Sequence, residues 1–416
     1  MSRRPRKVMH VLNSAGGGAA LSALGLAEEL ARHGVRSCAV CNDEGTPDER
    51  RQSSHTMSGE VAFTRLYWWN RKTRLPLWKR PLIEARQIWS TGWAHASATQ
   101  VAAHAVKWQA DLLHTNTILT PEGGLAARRL GLPHVWHLRE LVGPGKPFRL
   151  PREGHSFGRY MAGHCSKLVA NSEITAELVR DWLPPGLLEV VYNGIDLARF
   201  AARTAPRADG RVVVAMVGSP TSVWKKHALF VEAATLVDRA LPIEWRIYGH
   251  DPSHGGTTPG HAYTDALHAR IAAAGIAEHF KWPGFVTDPV EIMSQIDVLV
   301  HPADHESFGR VAVEAMAAGL PVIGVRGGGV AEIVTSGTTG VLCERDNPRD
   351  MAAAIEQLVR DPRLRQAFGT AGRARAESHF SLAASAAGIL RVYESAMERP
   401  LATHRAASTP DAATVS

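Results

Sequence analysis

Residues 298–325, with the sequence VLVHPADHESFGRVAVEAMAAGLPVIGV, decide the fold of this chain. An apolar strand over 298–301 leads through a polar loop into an apolar helix over about 308–318, and Gly319 ends that helix before a second apolar strand over 321–325. Strands that are apolar on both faces and alternate with helices are typical of a parallel sheet covered by helices. The stretch therefore predicts an α/β domain with a doubly wound parallel sheet.

Two glutamates in this stretch, Glu306 and Glu314, stand eight positions apart. Glu306 precedes a short turn, whereas Glu314 falls inside the apolar helix, where a carboxylate without a polar partner is costly. The start of the helix lies between them, and its unpaired N–H groups and positive dipole end bind anions. Two hydroxyl-binding carboxylates around a phosphate cradle predict a nucleotide-sugar site. An ordinary salt bridge at Glu314 is the alternative.

The same alternation of strand and helix runs through the rest of the chain. It begins with an apolar strand over 8–12, a triple-glycine loop, a helix over about 19–33 and a strand over 35–41. A stretch without periodicity, rich in Pro, Arg and Ala, interrupts the pattern at 201–211. We therefore expect two Rossmann-like doubly wound domains that face a central cleft.

The predicted divisions of the chain follow from this interruption. The length of 416 residues agrees with two domains because it exceeds what one core usually holds. A first domain covers 1–200, a linker 201–211, a second domain 212–380, a helix that can return to the first domain 381–398, and a disordered tail 399–416.

Composition is that of a soluble globular protein, since 45% of the residues are hydrophobic and 21% are charged. The sequence has no apolar run long enough for a membrane span, and its basic N-terminus lacks the apolar core of a secretory signal. Cys38 and Cys41 form one C-x-x-C pair, while Cys165 and Cys343 stand alone. Buried free thiols therefore fit better than a zinc site, and a reduced, cytoplasmic location is expected.

Residues 61–110 form a basic, tryptophan-rich stretch. Glu84 is its one acidic residue, among eight Lys and Arg and six Trp. Such a mixture suits an anionic membrane surface, where tryptophan lies at the interface and the cations meet headgroups. A solvated helix face with some tryptophans in the core is the main alternative, and nucleic acid is a third. We expect peripheral binding to the inner face of the cell membrane and no nucleic-acid partner.

The segment from Glu306 to Glu314 resembles the E-x7-E signature of glycosyltransferase family 4, whose members are retaining transferases with the GT-B fold. Further matches follow in family order over nearly the whole chain, and their order supports the resemblance more than any single match. In the N-terminal half they lie at 16–18, 135–140, 171–173 and 192–196, and in the C-terminal half at 212–218, 224–227, 248–249, 283–286, 297–302, 326–329 and 332–334.

The resemblance implies roles for the residues of the opening stretch. Glu314 would bind the ribose hydroxyls of the nucleotide, and Glu306 would hold the hydroxyls of the donor sugar. The amides of Phe308, Gly309 and Arg310 would take the diphosphate. The second domain would thus carry the donor site, and the first domain the acceptor site.

The same resemblance places Gly218 and Lys225 in the donor site and gives Lys226 the task of neutralising the leaving phosphate. Lys226→Ala is therefore predicted to lose at least about a hundredfold in turnover, because charge is stabilised where it develops. Two positions depart from the family, since Ser219 stands where an arginine is common and His227 where a glycine is common. Neutralisation of the leaving phosphate can thus rest on a different combination of Lys225, Lys226 and Arg310. The alternative for the two lysines is a solvated pair without a role in binding.

In the first domain, His137 would face the donor sugar and the reaction centre, and Gly16, Gly17 and Gly18 would border the diphosphate and the acceptor. The alternative for His137 is a core histidine whose hydrogen bonds are all made within the protein. The alternative for the glycines is a strand-to-helix turn without a ligand. Family members usually work without a metal, and this chain has no D-x-D motif for a divalent ion. The resemblance therefore implies neither a metal nor a cofactor beyond the nucleotide-sugar substrate.

The expected function is transfer of a sugar from a nucleotide-diphosphate sugar to an acceptor hydroxyl, with retention of the anomeric configuration. A glycan or lipid-linked acceptor, in the synthesis of a surface polysaccharide or glycolipid, is expected from the basic stretch. A nucleotide-sugar epimerase on the same fold is the alternative. A nicotinamide-dependent oxidoreductase fits less well because Leu21 stands where the G-x-G-x-x-G fingerprint needs glycine. A non-enzymic membrane-surface module would leave the paired glutamates unexplained.

Overall fold

The computed structural model describes residues 4–13, 17–42, 60–67, 69, 80–201, 210–249 and 259–401, without the side chains of residues 17, 80–91 and 259. Within these residues the chain forms two β-sheets, of seven and six strands, with helices packed on them.

The N-terminal half of the chain builds the first sheet. Its strands are β1 (Lys7–Leu12), β2 (Arg36–Asn42), β3 (Val61–Thr64), β4 (Leu112–Thr115), β5 (His134–Leu138), β6 (Lys167–Ala170) and β7 (Leu188–Val190). They lie in the order β3-β2-β1-β4-β5-β6-β7, and every neighbouring pair is parallel. The helices of this half are α1 (Gly17–Arg32), α2 (Arg80–Trp108), α3 (Glu122–Leu130), α4 (Gly154–His164) and α5 (Glu173–Glu177).

The second sheet repeats the plan. Its strands are β8 (Val212–Val217), β9 (Ile243–Tyr248), β10 (Phe280–Gly284), β11 (Val298–His301), β12 (Val322–Val325) and β13 (Gly340–Cys343). They lie in the order β10-β9-β8-β11-β12-β13, again all parallel. The helices of this half are α6 (His227–Leu236), α7 (Pro259–Ala273), α8 (Pro289–Ser294), α9 (Arg310–Ala317), α10 (Val330–Ile333), α11 (Pro348–Arg360), α12 (Pro362–His379) and α13 (Leu382–Met397).

The strand order of each sheet reverses once, between β1 and β4 in the first and between β8 and β11 in the second. In doubly wound sheets the connections on either side of such a point leave to opposite faces, so a crevice opens at the carboxyl ends of the strands. The loops that follow β8 and β11 meet at the crevice of the second sheet. These loops carry the predicted lysines and Glu306.

The last helix, α13, returns to the first sheet. Ala386, Ile389 and Tyr393 are buried in one apolar cluster with Val8 and Leu112. The return is fixed by backbone bonds at the carboxyl side of β7: Ile195 N donates to Phe380 O (2.9 Å), and Leu382 N donates to Ile195 O (3.2 Å). The first sheet is therefore covered in part by the C-terminal end of the described chain.

Both parallel sheets confirm the predicted α/β architecture of two Rossmann-like units. All four cysteines are free and buried, as the sequence indicated. None of the helices in the described part of the chain combines the length and apolarity that crossing a bilayer requires. The predicted domain boundaries stay predictions. Most of the predicted linker and tail, at 202–209 and 402–416, lies outside the described residues.

Candidate functional site

The helix of the E-x7-E segment, α9, begins two residues later than the sequence suggested. Gly309 precedes it with φ of 97°, a left-handed backbone that favours glycine. This turn redirects the chain so that the helix starts at Arg310. The first turn of α9 therefore follows directly on the loop that carries Glu306, and the free N–H groups at the start of a helix can bind an anion.

The Glu306 carboxylate lies against two side chains, Lys225 of the loop after β8 and His301 at the end of β11. Lys225 Nζ lies 2.5 Å from Glu306 Oε2, and His301 Nε2 lies 3.2 Å from the same oxygen. Burial alone would raise the pKa of the Glu306 carboxyl, but the Lys225 charge and the His301 ring outweigh it and bring the pKa well below its usual range. Glu306 is therefore an ionised carboxylate at any physiological pH.

Lys226 turns away from Glu306. Its Nζ lies 2.7 Å from Asp304 Oδ2 and 2.7 Å from Asp346 Oδ1. Burial opposes its charge, but the bonds to both aspartates outweigh burial and raise the pKa of Lys226. The backbone of Lys226 is left-handed, with φ of 58°. The structure thus brings Lys225, and not Lys226, onto Glu306, and uses Lys226 to join the loops after β8, β11 and β13.

Glu314 lies in the core face of α9 and is paired with its helical neighbour. Arg310 Nε lies 2.7 Å from Glu314 Oε1. Burial raises the pKa of the Glu314 carboxyl, and the Arg310 charge offsets part of that rise. The salt bridge that the sequence left open as an alternative is therefore present, although the ribose role stays a prediction. Arg310 Nη1 also reaches Ser22 Oγ of α1 at 3.4 Å, across the crevice.

Gly218 ends β8 directly beside the lysine loop. The Lys225 side chain lies over the strand end, where a Cβ at position 218 would meet it at an ordinary contact distance of 3.4 Å. Ser219 Oγ pairs with Thr221 Oγ1 at 2.8 Å and supplies no charge. His227 is buried, with its Nε2 3.2 Å from Gly218 O, and burial lowers its pKa to about 4. Neither departure from the family therefore adds a cation.

His137 comes from β5 at the carboxyl edge of the first sheet. Its Nδ1 lies 3.3 Å from Arg139 Nη2 and 3.3 Å from His114 Nε2. Burial, followed by the Arg139 charge, brings the pKa of His137 well below its ordinary value. The ring is therefore neutral and can donate a hydrogen bond but carries no charge.

The triple glycine is only partly described. Gly16 lies outside the described residues, whereas Gly17 and Gly18 form the first turn of α1. The predicted loop is thus shorter than expected, and α1 begins before residue 19. An approach of α1 to a phosphate group stays a prediction.

Hydrogen bonds that the sequence did not reveal join the two halves at the crevice. Ser307 Oγ donates to Arg139 O (2.6 Å), and Ser172 Oγ donates to Ser307 O (2.5 Å). The Glu332 carboxylate accepts from the backbone N of Glu173 (2.8 Å) and of the next residue (2.7 Å). These residues occur in the family matches, but their spacing in the sequence did not predict that they would join the two halves of the chain.

The basic, tryptophan-rich stretch is divided between core and surface. Trp69 stacks on Trp136, with ring centroids 5.6 Å apart, and its Nε1 donates to Ile118 O. By contrast, Trp93 is 45% exposed and stacks on Tyr67. Other members of the stretch, among them Trp68 and Trp78, lie outside the described residues. Membrane contact stays a prediction.

Two family models match consecutive parts of the chain. The model described as Glycosyltransferase Family 4 matches residues 16–199, and the model described as Glycosyl transferases group 1 matches residues 199–375. Together they cover every strand of both sheets except β1, and they meet just before the predicted linker.

Characterised relatives and solved structures resemble the chain over most of its length. A D-inositol 3-phosphate glycosyltransferase of Streptomyces bingchenggensis is 31% identical over 312 residues, which is 69% of this chain and 67% of the relative. A second one, from Catenulispora acidiphila, is 30% identical over 311 residues, 69% of this chain and 71% of the relative.

The similar structures include Anabaena HepE in complex with UDP and glucose, with 21% identity, a TM-score of 0.72, and coverage of 94% of this chain and 100% of that one. A sucrose-phosphate synthase of Thermosynechococcus elongatus has 20% identity, a TM-score of 0.68, and coverage of 93% and 98%. These likenesses confirm the predicted GT-B fold.

Proposed function

Because this chain belongs to glycosyltransferase family 4 and is a glycosyltransferase, we propose that it transfers a sugar from a nucleotide-diphosphate sugar to an acceptor hydroxyl with retention of configuration. The observation that carries this proposal is the ionised Glu306, held by Lys225 at the crevice of the second sheet. Glu314 lies two turns further along the same segment, and the start of α9 lies between the two carboxylates.

The donor is proposed to lie along this segment. Ionised Glu306 is an acceptor-only group and would take hydrogen bonds from sugar hydroxyls. The first turn of α9 would bind the diphosphate through its free N–H groups. Glu314 would bind the ribose, which requires its bond with Arg310 to open or to be shared.

Neutralisation of the leaving phosphate is proposed for Lys225. Its Nζ reaches the crevice beside Glu306, whereas Lys226 Nζ is occupied by two aspartates. A cation next to the developing charge stabilises the transition state more than the ground state. The geometry thus favours Lys225 for this role, whereas the sequence suggested Lys226.

Closure between the halves is proposed to exclude water from the reaction. The Ser307 bonds tie the loop of Glu306 to the first half of the chain. Such closure protects an activated sugar from hydrolysis. Neutral His137 would then donate a hydrogen bond toward the donor sugar from the opposite wall.

A thermal-shift screen over nucleotide sugars tests the donor. The HepE structures contain UDP or UDP-glucose, so uridine donors come first, followed by guanosine and adenosine donors. The cognate donor should raise the melting temperature because it binds the folded state alone. Glu314→Gln should weaken the shift. A flat response to every donor would reject the proposal.

The product of the reaction tests its course. The anomeric signal of the product should show the configuration of the donor, and an inverted product would reject retention. A reaction without acceptor separates transfer from the epimerase alternative, since an epimerase converts the donor sugar alone. The acceptor panel should include D-inositol 3-phosphate, for which the curated relatives are named, beside lipid-linked and glycan acceptors.

Peripheral membrane binding through residues 61–110 is proposed for lipid-linked acceptors. Exposed Trp93 and Arg65 support it, because interfacial tryptophan and headgroup-binding cations act together. Sedimentation with phosphatidylserine vesicles at low salt should remove the protein from solution. Trp93→Ala should reduce the bound fraction, while Trp224→Ala, an exposed tryptophan in the second half, serves as the control. No binding at low salt would contradict the proposal.

A further inference from the structure

Three histidines stand side by side at the carboxyl edge of the first sheet. They are His10 of β1, His114 of β4 and His137 of β5, with ring centroids 5.2 Å and 5.4 Å apart along the row. Arg139 follows β5 directly and is 6% exposed, while the histidines are at most 2% exposed. A buried arginine among histidines needs either a counter-ion or a full set of hydrogen-bond acceptors.

Hydrogen bonds from Arg139 determine where the ring protons lie. Its guanidinium can only donate, and Nη2 lies 3.3 Å from His137 Nδ1 and 3.1 Å from Asn116 Oδ1. His137 Nδ1 is therefore an acceptor. The Asn116 amide is oriented by the same bond, so its Nδ2 donates to His10 Nδ1 at 3.1 Å. His10 Nδ1 is an acceptor as well.

Both rings are neutral. Burial lowers the pKa of His10 to about 3, and it brings the pKa of His137 well below its ordinary value. A neutral imidazole whose Nδ1 accepts carries its proton on Nε2. His10 Nε2, His137 Nε2 and Arg139 Nε have no hydrogen-bond partner in the described part of the chain. The network thus ends in three buried N–H donors without acceptors.

The neighbouring Glu140 offsets only part of the Arg139 charge, since burial still lowers the pKa of Arg139. Arg139 Nη1 bonds to Asn193 Oδ1, and no carboxylate of the described residues forms an ion pair with the guanidinium. The Glu140 carboxylate is directed instead to Thr117 Oγ1 (2.6 Å) and Ile118 N (3.1 Å). Burial lowers the pKa of Arg139 to about 10, so the group remains charged at neutral pH.

We propose that Arg139, with His10 and His137, binds an oxyanion, a carboxylate or a phosphate, that one of the substrates carries. Three donors without a partner among the described residues, beside a guanidinium that forms no ion pair there, match a group that only accepts and is negatively charged. The site adjoins the proposed donor site, because Arg139 O accepts from Ser307 Oγ next to Glu306. The inference rests on the proposed function for the identity of the substrate, but not for the binding of the anion.

The anion has two sources. A donor sugar with a C6 carboxylate could present it, and so could an acceptor with a phosphate group. The second source agrees with the names of the curated relatives, which act on D-inositol 3-phosphate. Both sources share the chemistry that Arg139 and the two N–H groups recognise.

Nitrogen-15 NMR of histidine-labelled protein tests the site with inorganic phosphate as the probe. Free protein should show Nε2–H tautomers for His10 and His137, assigned by single His→Phe variants. Phosphate should shift these signals in the wild type and equally in Glu344→Ala, whose exposed ion pair with Arg326 lies within the second half of the chain. Nδ1–H tautomers, or signals that phosphate leaves unmoved, would overturn the proposal.

Arg139→Met should weaken the phosphate response of these signals at least tenfold, while Arg32→Met, at an exposed arginine of α1, should leave it unchanged. If Arg139→Met does not fold, His10→Phe replaces it, with a severalfold loss expected. An unchanged response in the folded variant would contradict the role of the network.

Two substrate pairs identify the source of the anion. UDP-glucuronic acid is compared with UDP-glucose as donor, and D-inositol 3-phosphate with inositol as acceptor. Wild type should prefer the charged member of one pair at least tenfold, and Arg139→Met should lose that preference. Equal use of charged and neutral members in both pairs would overturn the proposal. Absence of all transfer would instead reject the proposed function, and the phosphate titration would still decide the anion site.

Discussion

Lys225 and Lys226 are adjacent in sequence but serve different loops. Lys226 adopts a left-handed backbone, with φ of 58°, which glycine adopts without strain. The family glycine, which the sequence placed at His227, therefore fits position 226 better, and the lysine before that position, Lys225, is the one that meets Glu306. Residue type and spacing singled out the two glutamates, and the resemblance to the family singled out the pair of lysines. The sequence does not show backbone φ, so it could not predict which of the two lysines contacts Glu306.

Lys225→Ala is expected to lower kcat at least about a hundredfold, since it removes the cation nearest the leaving phosphate. Lys226→Gly should retain kcat within about tenfold, because the two ion pairs that it removes, with Asp304 and Asp346, join loops, and because glycine relieves the left-handed strain. Steady-state kinetics with the cognate donor measures both. A larger loss in Lys226→Gly than in Lys225→Ala would return the role to Lys226.

At the scale of elements, the apolar strands were predictable because burial on both faces leaves a continuous apolar run, as in β8, β11 and β12. The long helix α2 and the edge strand β3 were not predicted. Both lie in the basic stretch, where charges and tryptophans mask the periodicity that identifies an amphipathic element. The start of α9 was misplaced because Gly309 was taken for a helical residue.

Helix α3 begins with a buried carboxyl group that the sequence did not single out. Glu122 is fully buried, its Oε1 accepts from Tyr67 N at 2.7 Å, and burial raises its pKa to about 8. Its folded-state pKa is higher than the value of about 4.3 in an unfolded chain. The folded protein therefore holds one more proton between these values, and stability falls as pH rises through that window.

Glu122→Gln should remove this dependence while it keeps the acceptor for Tyr67 N. Chemical unfolding should show the variant more stable than wild type at pH 7, with the difference growing by up to about 1.4 kcal/mol per pH unit between pH 4.5 and 8. Near pH 4 the two proteins should be alike. Parallel stability curves over the whole range would show that Glu122 ionises normally.

At the scale of the whole molecule, the two halves are joined by the apolar packing of α13 on the first sheet and by hydrogen bonds to charged or backbone groups across the crevice. Glu332 of α10 accepts two backbone N–H bonds at the start of α5. Bonds to a carboxylate contribute about 1.5–3 kcal/mol each in favourable cases. The Glu332 contact is therefore strong enough to bias the crevice toward the closed form.

Glu332→Ala should shift the donor-free protein toward an open form and raise the KM for the donor about tenfold. Small-angle scattering should show a larger radius of gyration, which saturating donor reverses. Glu344→Ala is the matched control, because its ion pair with Arg326 is exposed and lies within the second half. An unchanged radius and KM would mean that the contact does not control closure.

The return of α13 to the first sheet has a consequence for synthesis on the ribosome. Strands β8–β13 and their helices are all translated before Leu382–Met397 emerge. Until then the apolar surface around Val8 and Leu112 lacks the cover that Ile389 and Tyr393 provide. The second sheet can thus be complete while the first sheet still lacks α13. Translation therefore finishes the loop of Lys225 and Lys226 before the first sheet has its cover, and a nascent chain stalled short of residue 382 would present that bare surface to chaperones.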